Sequence, residues 1–228
     1  MDLENNIDWP LISRAIDYYE DWGYKYKEVP WVASYEAMKV TSPKNSRLFS
    51  VDLNYLVASA EQSFVQMMID NELYIPGKYV AATPCFRDDN IDFFHRRYFF
   101  KVELIEVFSE PIKNKSREIK RIANLALEFM HEHTGNHRHW NTENFPTLFK
   151  TKEGLDITIN DIEVGSYGYR KYKDFYWLYG TGIAEPRFNQ SIMECGYSYK
   201  YKGKIKPKCL DGKGCGKCWV KYYKAHNI

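Results

Sequence analysis

Two segments of the chain place charged side chains beside aromatic rings or glycines at regular spacing. In the first, Arg87 follows Thr-Pro-Cys-Phe, and Phe99, Lys101 and Glu103 occupy alternate positions a short way further on. Because side chains alternate between the two faces of a strand, the last three share a face. A guanidinium binds phosphate, an aromatic ring stacks on a base, and a carboxylate binds an ammonium or hydroxyl group. Salt-bridged hairpins without a ligand have similar residues, so this pattern alone is weak.

The second segment is GTGIAEPR at 180–187, which follows EVGS at 163–166. Two glycines separated by one residue let a backbone turn tightly and approach a ligand. We expect a turn here and then a helix from about Glu185 to Glu194, with Arg187 near its N-terminus, where anions are favoured. A lone Gly-x-Gly is usually structural, and the following arginine makes the signal only moderately stronger.

Helices and strands must position these segments. Apolar residues at helical spacing predict helices over 8–22, over 57–70 with entry through Ser59, and over 116–133. Alternating patterns predict strands over 24–29, 78–86, 97–108, 155–164 and 172–179. Because strands and helices do not alternate regularly, we predict an α+β fold, an antiparallel β-sheet flanked by helices.

The 228 residues suffice for one well-packed domain and a small appendage. Beyond residue 194 the composition changes to Lys, Gly, Tyr and Cys, so we predict a domain of residues 1–194 and an appendage of residues 195–228. The acidic N-terminus does not resemble a signal peptide, and no stretch is apolar enough to span a membrane. We therefore expect a cytoplasmic protein without a membrane partner.

In this order and with these gaps, the segments resemble class II aminoacyl-tRNA synthetases, most closely those of the seryl type. The helix followed by GYKYKEVP resembles motif 1, TPCFRDD with YFFKVELIEVF resembles motif 2, and GTGIAEPR resembles motif 3. LVASAE at 56–61 is similar to the seryl Thr-x-Glu loop, and EVGS is similar to a seryl Glu-x-x-Ser segment. The resemblance extends over about residues 8–194.

This resemblance implies an AMP-forming ligase that uses ATP and Mg²⁺ to convert an amino acid, with serine or another small one favoured, into its adenylate. It also implies a homodimer formed through the motif 1 region. The implied site comprises the catalytic Arg87 and Arg187, ATP binding by Arg87, Asp89, His95, Phe99 and Arg187, amino-acid binding by Ser59, Glu61, Glu103 and Thr181, and Mg²⁺ binding by Glu163 and Ser166.

The C-terminal segment has its own chemistry. Residues 198–228 contain nine lysines and one aspartate, a charge of +8, which can attract a nucleic acid or simply form a solvated surface. Four cysteines are enough for a structural Zn²⁺ site, with free thiols as the alternative: Cys195, Cys209, Cys215 and Cys218. The spacing within 209–218 favours zinc, whereas the long gap from Cys195 does not.

The sequence also departs from the seryl pattern. His95 stands where the family has an arginine, and only nine residues separate Asp89 from Phe99 in the motif 2 loop. We expect neither a coiled-coil arm before motif 1 nor an anticodon-binding domain after motif 3. The acceptor therefore stays open among a tRNA, another nucleic acid, a carrier protein and a small molecule. The alternative is a catalytically inactive, synthetase-like regulator that binds nucleotide or RNA.

Overall fold

A computed structural model describes residues 7–88, 94–134 and 145–193, together with the short strands at 197–198 and 206–207. The helices of this part of the chain are α1 (Trp9–Asp21), α2 (Tyr35–Thr41), α3 (Ala60–Ile69), α4 (Lys115–Thr134) and α5 (Arg187–Met193). The strands are β1 (Lys25–Tyr26), β2 (Val32–Ala33), β3 (Ser50–Val51), β4 (Asn54–Leu56), β5 (Gly77–Phe86), β6 (Tyr98–Phe108), β7 (Thr147–Lys150), β8 (Gly154–Ile159), β9 (Ile162–Tyr172), β10 (Phe175–Glu185), β11 (Tyr197–Ser198) and β12 (Lys206–Pro207).

Seven strands form the main sheet, in the order β1-β5-β6-β10-β9-β8-β7. The edge strand β1 runs parallel to β5, and every other neighbouring pair is antiparallel. Strands β2, β4 and β3 form a separate antiparallel sheet of three strands. The predicted fold class, an antiparallel sheet flanked by helices, is confirmed.

The helices cover the two faces of the main sheet unequally. On one face, α1, α4 and α5 pack over apolar residues such as Val102 and Leu104 and enclose the larger core. On the other face, α3 with α2 behind it covers residues such as Ile105 and Val107. This second face is only partly covered, and its open part can serve as the floor of a binding site.

Local sequence signals account for the helices that frame the site. Helix α1 begins after Asp8, whose carboxylate accepts from the Leu11 N–H at 2.9 Å, and ends before Gly23, which has a φ of +84°. Helix α3 begins after Ser59, whose hydroxyl accepts from the Glu61 N–H at 3.2 Å. Side chains of this kind satisfy the N–H groups that a helix start leaves unpaired. The predicted bounds of both helices agree with the structure to within about three residues.

The prediction of a turn at GTG is wrong. Gly180 and Gly182 lie inside β10, where the pairing with β6 shifts between Thr181 and Ile183, and α5 begins only at Arg187. A Cβ atom on Gly180 would come within 2.6 Å of the Tyr167 ring, and one on Gly182 within 2.7 Å of the Tyr19 ring. The two glycines therefore let buried tyrosines pack against the strand.

Other predicted elements need new bounds. The strand predicted at 155–164 is a hairpin of β8 and β9, which turns at Asn160 and Asp161 with φ of 52° and 63°. The strand predicted at 24–29 is reduced to β1, and α2, β2, β3, β4 and β7 were not predicted. The boundary predicted after residue 194 falls outside the described residues and stays a prediction. No described helix is long and apolar enough to cross a lipid bilayer.

Candidate active site

A cleft of about 970 Å³ opens on the sheet face that carries α3. Its floor consists of β6, β9 and β10, and its rim includes the segment that follows α2. The structure brings most of the predicted site residues together in its lining: Ser59, Glu61, Arg87, Phe99, Glu103, Glu163, Ser166, Thr181 and Arg187. Residues that are separated by up to 128 positions in the chain therefore face the same space.

Two arginines meet at the ring of Phe99. The guanidinium carbon of Arg87 lies 5.1 Å from the ring centroid and that of Arg187 lies 6.0 Å from it, both within cation–π distance. Each guanidinium is oriented by a backbone carbonyl: Arg87 Nε donates to Ala58 at 3.3 Å, and Arg187 Nε donates to Phe94 at 3.2 Å. Two positive charges therefore lie beside one aromatic ring of the cleft, and these residue types suit a base with an attached phosphate chain.

Glu103 lies at the centre of a buried polar cluster. It accepts from Ser59 Oγ at 2.7 Å and from Lys101 Nζ at 2.6 Å, and it also accepts from the backbone N–H of Ala60. Burial raises the pKa of a carboxyl, but the Lys101 charge and these hydrogen bonds outweigh it and hold the pKa of Glu103 below its ordinary value. Glu103 therefore presents a fixed negative charge beside Thr181, its cross-strand partner.

Glu61 is the second buried carboxylate of the cleft. Its oxygens accept from Trp177 Nε1 and from Arg170 Nη1, each at 2.7 Å. Burial raises the pKa of Glu61, and the Arg170 charge and the Trp177 hydrogen bond only partly offset this effect. Glu61 thus ties α3 to β9 and β10, and the amino-acid contact predicted for it stays untested.

Two further acidic residues lie on β8 and β9, and one of them, Glu163, lines the cleft. Asp156 lies opposite Ser166 across the two strands, and Glu163 lies next to the bulge in this pairing. Glu163 is an exposed residue of the cleft, and the protein atoms around it displace part of its hydration. This desolvation raises the pKa of Glu163, and the Asp156 charge raises it further. Two carboxylates that repel each other beside a hydroxyl are oxygen ligands of the kind that a hard divalent cation prefers.

Several predicted residues are not placed in the cleft. Asp89 lies outside the described residues, and so do the four cysteines of the predicted zinc site: Cys195, Cys209, Cys215 and Cys218. His95 is described but does not line the cleft, whereas Arg97, two residues further on, does. Within the described ranges no cluster of three or more His, Cys, Asp or Glu side chains could hold a metal ion by itself.

Sequence reasoning assigned no role to four residues of the site: Lys101, Asp156, Arg170 and Trp177. The sequence places Lys101 on one strand face with Phe99 and Glu103, but it does not show that Lys101 pairs with Glu103. Arg170 could have been found by extending the alternation of Ser166 along a longer strand β9. No local signal marks Trp177, since its role depends on contact with a helix more than 100 residues away.

The fold is similar to that of solved seryl- and pyrrolysyl-tRNA synthetases, both class II catalytic cores, and the resemblance expected from the motifs is confirmed. Seryl-tRNA synthetase from Pyrococcus horikoshii complexed with ATP superposes on 92% of this chain and 55% of its own, with a TM-score of 0.60 and 18% identity. Pyrrolysyl-tRNA synthetase from Desulfitobacterium hafniense superposes on 81% of this chain and 67% of its own, with a TM-score of 0.56 and 13% identity. Cytoplasmic serine-tRNA ligase from Naegleria fowleri in complex with AMP has a TM-score of 0.56 and 16% identity over 90% of this chain and 52% of its own.

The sequence is also similar to one particular enzyme of the seryl type. It is 30% identical over 122 residues to the serine–tRNA ligase of Encephalitozoon cuniculi (strain GB-M1), a match that covers 47% of this chain and 28% of that ligase. The match therefore spans less than a third of the relative's length. No family model matches the chain.

Proposed function

We propose that the chain is an AMP-forming aminoacyl ligase, which activates an amino acid with ATP. The observation that carries this proposal is the convergence of Arg87 and Arg187 on Phe99 in one cleft that also contains Glu103. A phosphate clamp, a surface for a base and a buried anion for an ammonium group are the parts that amino-acid activation needs. The similar structures with bound ATP and AMP support the same use of the cleft.

In the proposed reaction a carboxylate oxygen of the amino acid attacks the α-phosphorus of ATP. A bond between this oxygen and phosphorus forms while the bond from phosphorus to pyrophosphate breaks, and the aminoacyl adenylate results. Such a reaction depends on positioning and charge neutralisation rather than on covalent help from the protein. Arg87 would neutralise the α-phosphate and the attacking carboxylate, Arg187 would bind the outer phosphates, and Glu103 would hold the ammonium group.

The residues of the cleft also fit a magnesium ion. Glu163 and Ser166 line the cleft and Asp156 lies across the strands from Ser166, and Mg²⁺ prefers a few protein oxygens together with phosphate oxygens of a substrate. When bound, the ion would neutralise phosphate charge that the two arginines leave uncompensated. Glu163 and Asp156 would be its ligands in this chain, and Ser166 would contribute a hydroxyl.

We further propose that the adenylate is transferred to a nucleic-acid acceptor, with tRNA as the first candidate. The similarity to serine–tRNA ligase and the charge of +8 in residues 198–228 support this choice. The sequence resemblance by itself implies serine or another small amino acid, so serine is the reference substrate against which other amino acids are compared. If the acceptor is a carrier protein or a small molecule, labelled amino acid should be transferred to that acceptor and not to tRNA.

The activity can be tested by amino-acid-dependent exchange of labelled pyrophosphate into ATP. The wild-type protein should catalyse this exchange, and Arg87→Ala should reduce kcat/KM by about 100-fold or more, because a preorganised charge that stabilises the transition state is lost. Arg117→Ala is a suitable control, since Arg117 lies on α4, across the sheet from the cleft, and its side chain is 81% exposed.

The outcomes separate the enzyme from a non-catalytic regulator. Exchange in the wild type that Arg87→Ala leaves near normal would contradict the assignment of the phosphate clamp. A folded wild-type protein that binds ATP but supports no exchange with any of the twenty amino acids would contradict the ligase and favour a nucleotide-binding regulator.

A further inference from the structure

The cleft continues beyond the place where a small amino acid would end. On β10, Tyr179 lies two residues before Thr181 on the same face of the sheet, about 7 Å away along the strand. The guanidinium carbon of Arg170 lies 4.5 Å from the centroid of the Tyr179 ring, and both residues line the cleft. A positively charged group thus lies further along the floor than Glu103 and Thr181.

Arg170 is held firmly but stays accessible. Its Nη1 donates to Glu61 at 2.7 Å and its guanidinium lies over the Tyr179 ring, and the two contacts together restrict its position. The Arg170 side chain is nevertheless 28% exposed, whereas the Glu61 side chain is 8% exposed. A guanidinium has five N–H donors, and an arginine that served only as the counter-ion of Glu61 would not need to face the cleft. Preorganised donors of this kind are suited to an oxygen acceptor of a ligand.

We propose, on the basis of the ligase function proposed above, that Arg170 is a specificity-determining residue that binds the side chain of the amino-acid substrate. The substrate class is an amino acid whose side chain ends in a carboxylate or a carboxamide, because both present a carbonyl-type oxygen to the guanidinium. Serine does not meet this requirement, since its hydroxyl lies on the first side-chain carbon and would stay beside Glu103 and Thr181.

The charges of the pocket are compatible with both side chains of this class. The Glu61 carboxylate contacts Arg170 at 2.7 Å and offsets its charge, so the pocket does not demand an anion. It offers donors from Arg170 beside acceptor sites on Glu61, and a carboxamide matches both, whereas a carboxylate matches only the donors. A small side chain would not reach the Arg170 donors and would gain no binding energy from them, whereas a longer side chain with a terminal oxygen would hydrogen-bond to them.

The test is pyrophosphate exchange by the full chain with each of the twenty amino acids. We expect the highest kcat/KM with aspartate, glutamate, asparagine or glutamine, at least about 100-fold above serine. Comparison of aspartate with asparagine, and of glutamate with glutamine, shows whether the site prefers a carboxylate or a carboxamide. Serine as the best substrate would overturn this inference and support the proposed ligase, whereas no exchange with any amino acid would overturn both.

Variants of Arg170 then separate a specificity role from a structural one. Arg170→Lys keeps the charge beside Glu61 but loses the planar set of donors, so we expect kcat/KM for the preferred substrate to fall by about 100-fold, mainly through KM. Exchange with serine should change much less. The control Arg117→Gln should change neither. An equal loss for all amino acids in a folded Arg170→Lys protein would show that Arg170 acts only as the counter-ion of Glu61.

Discussion

The two buried carboxylates of the cleft differ in how their charge is stabilised. Glu103 is paired with Lys101 and accepts further hydrogen bonds, so that its pKa lies below the ordinary value of 4.5 in spite of burial. Glu61 has one cationic partner, Arg170, and burial dominates, so that its pKa lies above 4.5. At neutral pH Glu103 is thus the more firmly ionised acid. This difference explains why we assign the substrate ammonium to Glu103.

Replacing Lys101 tests this electrostatic arrangement. Lys101→Met leaves Glu103 buried without its cation, so we expect the free energy of unfolding at pH 7 to fall by about 3 kcal/mol. The pKa of Glu103 should rise, which moves the acidic limb of the pH–rate profile for pyrophosphate exchange to higher pH. Because the wild-type pKa is lowered, the stabilisation by this pair is present at neutral pH and is lost as the pH falls below 4.5.

Urea denaturation at pH 7 and at acidic pH measures the effect on stability. The difference between Lys101→Met and wild type should shrink as Glu103 becomes protonated in the wild type. Lys173→Met is a matched control, because Lys173 contacts Glu36 at 2.7 Å but both side chains are about half exposed, and solvent screens such pairs. Equal loss of stability in the two variants would argue against a special role for the buried pair.

At the scale of helices and strands, some of the site could be predicted because local signals and burial agree. Ser59 is typical of a helix start, and it both caps α3 and donates to Glu103. The alternation of Phe99, Lys101 and Glu103 predicts one face of β6, and all three side chains line the cleft. In this strand, the alternation of side chains predicts both the secondary structure and the face that lines the cleft.

The hairpin of β9 and β10 could not be predicted in the same way. Its turn includes Lys173 with a φ of 51°, a conformation that lysine rarely adopts and that the sequence does not indicate. The polar run around Arg170 is typical of a loop, whereas pairing with Trp177 makes it a strand. Gly180 and Gly182 indicate a turn locally, but the tyrosines that require them lie elsewhere in the chain. Tertiary packing therefore decided the elements that carry Arg170 and Thr181.

Two serine caps allow the role of Ser59 in α3 to be separated from its role in the site. Ser59→Ala and Ser34→Ala each remove an N-cap side chain, from α3 and α2 respectively, and each should cost about 1 kcal/mol in urea denaturation. Only Ser59 also donates to Glu103, at 2.7 Å. We therefore expect Ser59→Ala alone to raise KM for the amino acid in pyrophosphate exchange. A similar KM change in Ser34→Ala would attribute the effect to general loosening of the fold.

At the scale of the whole molecule, three exposed aromatic side chains lie close in sequence to the edge strand β1 of the main sheet. Trp22, Tyr26 and Trp31 lie within ten residues of one another around the edge strand β1, and each is 47–56% exposed. Among the described residues no strand pairs with the side of β1 that faces away from β5, and the Tyr26 N–H on this side donates to the Glu20 carboxylate at 3.3 Å. An unpaired edge and neighbouring exposed aromatics are features of surfaces that bind another protein. This is also the segment that resembles motif 1, for which the resemblance implies a homodimer.

We therefore predict that the protein is a dimer with twice the mass of the 27.1 kDa chain, as measured by light scattering coupled to size-exclusion chromatography. Tyr26→Asp places a charge among the aromatic side chains at β1 and should shift the mass to that of one chain, because an unpaired charge in an apolar interface is costly. Phe149→Asp is the matched control: Phe149 is 62% exposed but lies on β7, at the opposite edge of the sheet. A monomeric wild type would contradict the prediction, and dissociation by Phe149→Asp rather than by Tyr26→Asp would place the interface at the β7 edge.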